Sequence, residues 1–329
     1  MGCMEPSLQS LLDPWDRQLT AVNRSIEGTN NRTLLLAAED GDLVLRLYRT
    51  ADPALIRREH RLLQELQRIR LPFATPSPLL TSAGATTARL HWLDRPVIGA
   101  LFPMLPGRPP DNGNPRHAEA CGRALGHLHT GLSRLPASLD PPDACPVLDH
   151  IDQLVPDPVA AAAQCGIGRS RSRQLGRLVH DCMSAHDQLG DRRHQVIHGD
   201  LFAANILISD DTVSAILDFE YAGVGPPMMD VAVAIMSICL NPFDQPDRWE
   251  LARRLATGYA VTHPLPGSAA ATVPMMLRRR EVTSFVTRIG RHRRGEISTE
   301  ELHQRADRLL ELDRLLDAHG ADLVESVTQ

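Results

Sequence analysis

At residues 102–110 the chain reads Phe-Pro-Met-Leu-Pro-Gly-Arg-Pro-Pro, and its hydrophobic period differs on the two sides of that segment. Upstream, the short apolar runs 34–36 and 43–48 flank Asp40-Gly41, a hairpin dipeptide, and strand-like segments follow around 79–93 and 97–102. One helix interrupts them. Asp52-Pro53 supplies a cap and a first-position proline, and the helix ends near Arg70, before Leu71-Pro72. Downstream the pattern is helical over 116–131, 169–189, 230–240, 247–261 and 298–319, with one short strand pair near 206–218. This predicts an α+β chain of two lobes with a cleft: a sheet-rich lobe at 1–103 and a mostly helical lobe at 104–329.

Composition removes several chemistries. All 35 Lys+Arg residues are arginine. A chain without lysine cannot carry a Walker-type phosphate loop, a pyridoxal Schiff base or a Schiff-base aldolase site. A net charge of −5 argues against nucleic acid as a partner, since binding there needs a basic face. No run of 18 apolar residues occurs, so no transmembrane helix and no membrane partner are expected. The first residues lack a basic-then-apolar leader, and Pro6 stands where a myristoylation motif needs Ser or Thr. Cys3, Cys121, Cys145, Cys165, Cys182 and Cys239 form no C-x-x-C pair, so they read as reduced, packed thiols of a cytoplasmic protein without a zinc site.

The chemistry concentrates at 196–220. Ile206-Leu207-Ile208 and the run 213–217 are β-compatible, and Ser209-Asp210-Asp211-Thr212 between them is a polar turn. Folded as a hairpin, the pair sets Asn205 beside Asp218, with Asp200 on the loop leading in. Such oxygen-bearing side chains suit magnesium, which takes few protein ligands plus phosphate oxygens, and one of them can serve as a base.

The pattern His198-Gly199-Asp200-x4-Asn205 followed by Asp218-Phe219-Glu220 resembles the catalytic and metal loops of the aminoglycoside phosphotransferase, choline kinase and type II homoserine kinase superfamily. The resemblance spans roughly residues 20–315. Asp218-Phe219-Glu220-Tyr221-Ala222-Gly223, Asp230-Val231-Ala232 and Gly258-Tyr259 are similar to homoserine-kinase-like members. It implies a protein-kinase-like fold, with the first lobe binding nucleotide and the second holding catalytic and acceptor groups. It implies Asp200 as the base for the acceptor hydroxyl, and Asn205 and Asp218 as ligands of Mg²⁺, with ATP as co-substrate. His198 reads as a loop brace. Glu220 stands where protein kinases have glycine, and either contacts substrate or metal or stabilises its loop. Asp230 caps an apolar helix, braces the catalytic loop, or does both.

Kinases hold the α/β-phosphates with a cation paired to a helix carboxylate. In the run 43–48, alternation puts Leu43, Leu45 and Leu47 on one face and Arg46 on the other, with Val44 and Tyr48. A charge in an apolar strand needs a partner. Glu59 falls inside the apolar stripe 55, 59, 62, 66, 69 of the following helix, so Arg46 and Glu59 are expected to pair. Gly28, Thr29 and Asn30, within Glu27-Gly28-Thr29-Asn30-Asn31-Arg32, read as a phosphate-covering loop or as a plain turn. By resemblance, Phe102, Met104 and Leu105 fall in the hinge that holds adenine through the backbone.

The acceptor is less legible. Arg278, Arg279, Arg280, Arg288, Arg291, Arg293 and Arg294 form either a solvated helix face or, if some line the cleft, a site for an anionic acceptor. The expected function is ATP-dependent phosphorylation of a hydroxyl on an antibiotic, natural product or amino alcohol, with homoserine kinase proper as the alternative. A protein Ser/Thr kinase would need an A-P-E anchor after Asp218, which is absent. A non-catalytic nucleotide-binding protein would not need the intact Asp200, Asn205 and Asp218 set.

Overall fold

Leucines at alternate positions build the sheet. In the computed structural model, which describes residues 10–27, 31–49, 52–93, 95–136, 139, 142, 144, 151–189, 195–240, 245, 247–264 and 266–328, Leu43, Leu45 and Leu47 are all buried. Strands β1 (Leu19–Glu27), β2 (Asn31–Ala38), β3 (Gly41–Tyr48), β4 (Ala88–Trp92) and β5 (Arg95–Pro103) form one antiparallel sheet in the order β1-β2-β3-β5-β4. Ala38 opposes Gly41 across the expected turn, and Gly41 takes φ +128, a value that side chains disfavour. The leucines meet Leu34, Leu36, Leu90, Leu101 and the segment Leu11, Leu12 and Trp15 in one core. The indole of Trp15 donates to the Leu79 carbonyl at 3.1 Å.

Helix α1 (Pro53–Arg68) starts as expected, with the Asp52 side chain accepting from the Ala54 amide. Its buried stripe differs by one position at the start. Leu55 is exposed, and Ile56 with Glu59, Leu62, Leu63 and Leu66 faces inward. His60, also buried, shares a hydrogen bond with the Tyr48 hydroxyl at 3.0 Å and another with Thr86 at 2.8 Å. Its ring stands edge-on to Tyr48 and Phe102.

The chain divides into two compact units. One is Met1–Gly107 with Pro136–Leu139 and Ser214–Glu220; the other is Arg108–Leu135, Asp140–Val213 and Tyr221–Gln329. The segment Ser214–Glu220 therefore belongs with the sheet, although sequence order would group it with the helices. Ala74 donates to the Ser214 carbonyl at 2.9 Å and accepts from Ile216 at 3.0 Å, which joins that segment to the first unit.

The second unit is helical: α2 (Pro115–Leu132), α3 (Pro158–Ala163), α4 (Arg169–Leu189), α5 (Pro227–Ala234), α6 (Asp247–Thr262), the short α7 (Gly267–Ala270), α8 (Val273–Arg293) and α9 (Thr299–Thr328). Small strands β6 (Gln195–Ile197) and β9 (Gly223–Gly225) pair antiparallel, and β7 (Ile206–Ser209) is followed by β8 (Thr212–Ile216), which runs on into the Ser214–Glu220 segment of the first unit. The expected helix at 230–240 begins earlier, at Pro227, and passes into a π turn over Ile235–Cys239. Helices α2 and α6 touch backbone to backbone. A Cβ on Gly258 would lie 2.3 Å from the Glu119 carbonyl oxygen, and one on Gly122 would press on the Leu255 carbonyl. Elsewhere in the unit, Val155, Leu175, Val179, Val282, Phe285 and Leu309 form a core among α3, α4, α8 and α9. Among the described residues Cys121, Cys165, Cys182 and Cys239 are free thiols, and burial pushes those of Cys121 and Cys182 up to about 12.

Burial lowers the His60 imidazole to about 4, with a smaller contribution from the Arg46 charge. An unfolded histidine takes its proton near pH ~6.5. Stability from a neutral His60 is thus complete above that value and is lost as pH falls toward 4, by up to roughly 3 kcal/mol. Urea unfolding of the wild type between pH 7.5 and 4.5 should show this loss, and His60→Gln should flatten the slope.

Candidate active site

Strand β3 turns Arg46 away from the leucine core. Its Nη1 donates to Glu59 Oε1 at 2.9 Å, and its Nη2 donates to Asp218 Oδ1 and to Glu220 Oε2, each at 2.7 Å. Arg46 is 13% exposed and Glu59 7%, so this is a desolvated pair. The expected pairing of Arg46 with Glu59 is present in the geometry. Two partners join it that strand and helix periodicity did not suggest. Asn31 donates from Nδ2 to Glu220 Oε2 at 2.6 Å, and the Arg46 guanidinium lies 5.4 Å from the centre of the Tyr48 ring.

One guanidinium thus faces three carboxylates. Burial would lower the Arg46 pKa, but Glu59, Asp218, Tyr48 and Glu220 together hold it above its ordinary value. Burial pushes the Glu59 carboxyl up; Asp218 and Glu220 add to that, and Arg46 opposes it. Asp218 has φ +63, in the left-handed region that Asp tolerates better than most residues. Asn31 and Arg32 are the first residues of β2, and Arg32 lies over the Trp92 ring. Gly28, Thr29 and Asn30 lie outside the described residues.

Phe102 pairs with Val44 in the sheet, and Met104 donates its amide to the Asp42 carbonyl at 3.0 Å. Alternate pairs of an antiparallel ladder hydrogen-bond, so the Pro103 carbonyl turns away from β3. The Met104 amide is already committed inside the unit.

In the second unit, the loop after β6 is pinned from below. Asp230 is fully buried and accepts from the His198 amide at 2.7 Å, the Gly199 amide at 2.8 Å and His129 Nε2 at 3.0 Å. The Tyr259 hydroxyl bonds the other ring nitrogen of His129 at 2.8 Å. Asp230 lies inside α5 rather than at its cap, and α5 begins on Pro226-Pro227 without a side-chain cap. Burial would raise the Asp230 carboxyl, but hydrogen bonds and charge from His129 and His198 hold it below its ordinary value.

The loop above is tightly specified. Gly199 has φ +81, and a Cβ there would lie 2.3 Å from the Tyr221 carbonyl oxygen. The Asp200 amide donates to His198 Nδ1 at 3.3 Å, so the buried ring braces the loop. Asn205 Nδ2 donates to the Asp200 carbonyl at 2.9 Å, which leaves its amide oxygen for another partner. The Asp200 and Asn205 side chains are both half-buried.

Removing the carboxylate beneath the loop strands two amides and one imidazole. Asp230→Ala should cost about 3–5 kcal/mol, the range for breaking a buried charged network. Chemical denaturation checks this; a loss under about 1 kcal/mol would mean that the loop stands without Asp230.

The family model described as the phosphotransferase enzyme family matches residues 23–271. The homoserine kinase of Acidiphilium cryptum is 26% identical over 296 residues, covering 87% of this chain and 86% of that protein. That of Gluconacetobacter diazotrophicus is 28% identical over 292 residues, covering 86% and 85%. Among solved structures, a microcompartment-associated aminopropanol kinase superposes with TM-score 0.71 at 21% identity, covering 98% of each chain. An amicoumacin kinase superposes with TM-score 0.69 at 15% identity, covering 93% of this chain and 92% of that one.

Proposed function

Because the chain belongs to the phosphotransferase enzyme family, we propose that it transfers the γ-phosphoryl group of ATP to a hydroxyl of a small molecule. The observation that carries this reading is the Arg46 guanidinium held between Glu59 and Asp218. It is a buried cation with donors in a planar fork, which is what nucleotide phosphates need for positioning. Adenine would be read by the Pro103 carbonyl and the Leu105 amide. The first of these is turned out of the sheet, and neither calls on the Met104 amide.

Magnesium fits the residues present. In the first unit Asp218 gives one oxygen to Arg46 and keeps the other, and three carboxylates around one guanidinium leave negative charge for a divalent cation to match; in the second unit Asn205 keeps its amide oxygen for a partner. Among the described residues no group of three His, Cys, Asp or Glu forms a metal cage, so Asp218, Asn205 and phosphate oxygens would be its ligands. When bound, the ion would neutralise charge on the β- and γ-phosphate oxygens.

Asp200 orients the acceptor hydroxyl and takes its proton. The hydroxyl oxygen bonds to the γ-phosphorus, the bond from that phosphorus to the β,γ-bridging oxygen breaks, and ADP leaves. His198 and Asp230 act through the backbone, fixing where Asp200 stands. A second reading, with homoserine itself as acceptor, is supported by similarity to homoserine kinases along most of the chain.

A screen with radiolabelled ATP over homoserine, choline, aminopropanol, aminoglycosides and macrolides tests the reading. With the acceptor found, Asp200→Asn should keep ATP affinity and lose on the order of 10²–10⁴ in kcat, because an amide keeps the shape and cannot take a proton. Calorimetry with ATP and a turnover assay separate the two effects. Asp218→Ala should abolish Mg²⁺-dependent turnover while circular dichroism shows the fold retained; unchanged turnover would remove Asp218 from the metal's ligands.

A further inference from the structure

The arginine-rich stretch of α8 divides by partner. Arg278 is tied to Asp313 and Asp317 at 2.6 Å each, and Arg279 is buried. Arg291 and Arg294 pair with Glu296, Arg294 also with Asp152, and Arg293 donates to the Leu154 carbonyl. Arg280 and Arg288 remain. They lie eight residues apart with Ser284 between, on one face of the helix.

Neither has a carboxylate within ion-pair distance among the described residues, and nor does Arg305 of α9. The Arg280 guanidinium lies 4.9 Å from the centre of the Phe202 ring, two residues beyond Asp200 on the same loop. Arg288 is held by the Ser284 carbonyl and hydroxyl at 3.1 and 2.6 Å, and its Nε is buried without a hydrogen-bond partner. Burial lowers the Arg280 guanidinium; Glu281 and Asp200 favour its charge, while Arg305 and Arg308 oppose it. Arg288 is lowered too, by burial and then by Arg305. Glu281, the acid that most favours the charge of both, already faces Arg308 at 3.5 Å.

We propose that Arg280, with Arg288 and Arg305 beside it, selects the acceptor by holding a carboxylate of a short hydroxyl-bearing molecule whose hydroxyl faces Asp200. This rests on the phosphotransfer reading above and adds the charge of its substrate. A guanidinium stacked on an aromatic face keeps its N–H edge for a planar oxyanion. A desolvated cation beside other cations gains most from an anion that is bidentate and excludes water. The same group repels a polycation, so the site discriminates by charge as well as by fit.

The test uses the full-length protein, Mg²⁺, ATP and matched acceptors: homoserine, serine and 4-hydroxybutyrate, the carboxamide of each, aminopropanol and an aminoglycoside. The wild type should favour the best acid over its carboxamide by on the order of 10²-fold in kcat/KM. Arg280→Gln should erase that preference through the acid's KM, leaving the carboxamide and the KM for ATP within about twofold. Arg280→Lys should restore part of it, which a loop strut would not do in an acid-specific way. Equal use of acid and carboxamide by the wild type, preference for the aminoglycoside, or an Arg280→Gln loss common to both acceptors would overturn the inference and leave the kinase reading standing. Bound ATP with no transfer to any acceptor, here or in the wider screen, would overturn the kinase reading and this inference with it.

Discussion

The Arg46 guanidinium holds the sheet unit together at its polar side. Strand β3 presents it, α1 brings Glu59, the segment Ser214–Glu220 brings Asp218 and Glu220, and β2 adds Asn31 through Glu220. Strand β3, helix α1 and the segment Ser214–Glu220 therefore meet at one side chain, the last of them from 172 residues away in sequence, with β2 joined through Glu220. A buried cation of this kind would cost several kcal/mol if it were left alone, and each carboxylate would suffer without it. A planar fork can reach three carboxylates at once, whereas an ammonium on a flexible stem offers a compact point charge. In a chain without lysine, arginine is thus suited both to hold the cluster and to meet phosphates.

The helical unit is organised around an anion instead. Asp230 gathers two backbone amides and His129, and His129 in turn holds Tyr259. The glycine contacts of α2 with α6 set the helices that carry His129 and Tyr259 close enough for that bond. Asp200 owes its place to backbone geometry beneath it, with no direct bond from Asp230 to its side chain required. Arg280 approaches the same loop from α8 through Phe202.

Much of this was readable in the sequence, wherever one side chain breaks a local pattern. Arg46 interrupts an apolar strand and Glu59 an apolar helix face, and two misplaced charges of opposite sign identify each other. Glu220 stood out against the protein-kinase pattern, but its meeting with Asn31 was not readable, because it spans 189 residues and leaves no periodic trace. Helix α8 was not delineated because its charges fall on nearly every side: Arg278 goes to α9, Arg279 inward and Arg280 to Phe202. Helix α9 runs past its expected end at 319, since Gly320 is a small packing residue rather than a terminator. A Cβ there would lie 3.1 Å from Pro274 Cγ. The fold class emerged from the change of period at 102–110; the assignment of Ser214–Glu220 to the sheet unit needed the bridge to Ala74.

The central claim is that the Arg46 cluster seats the nucleotide phosphates. Calorimetric titration of Mg·ATP into the wild type, Arg46→Ala and Arg46→Lys, with thermal unfolding of each as a control, tests it most directly. The account predicts that Arg46→Ala weakens Mg·ATP by about tenfold or more, as loss of a charge-assisted hydrogen bond does, and that Arg46→Lys recovers part of it. Unchanged Mg·ATP affinity in a folded Arg46→Ala protein would contradict the account and reduce the cluster to a structural ion pair.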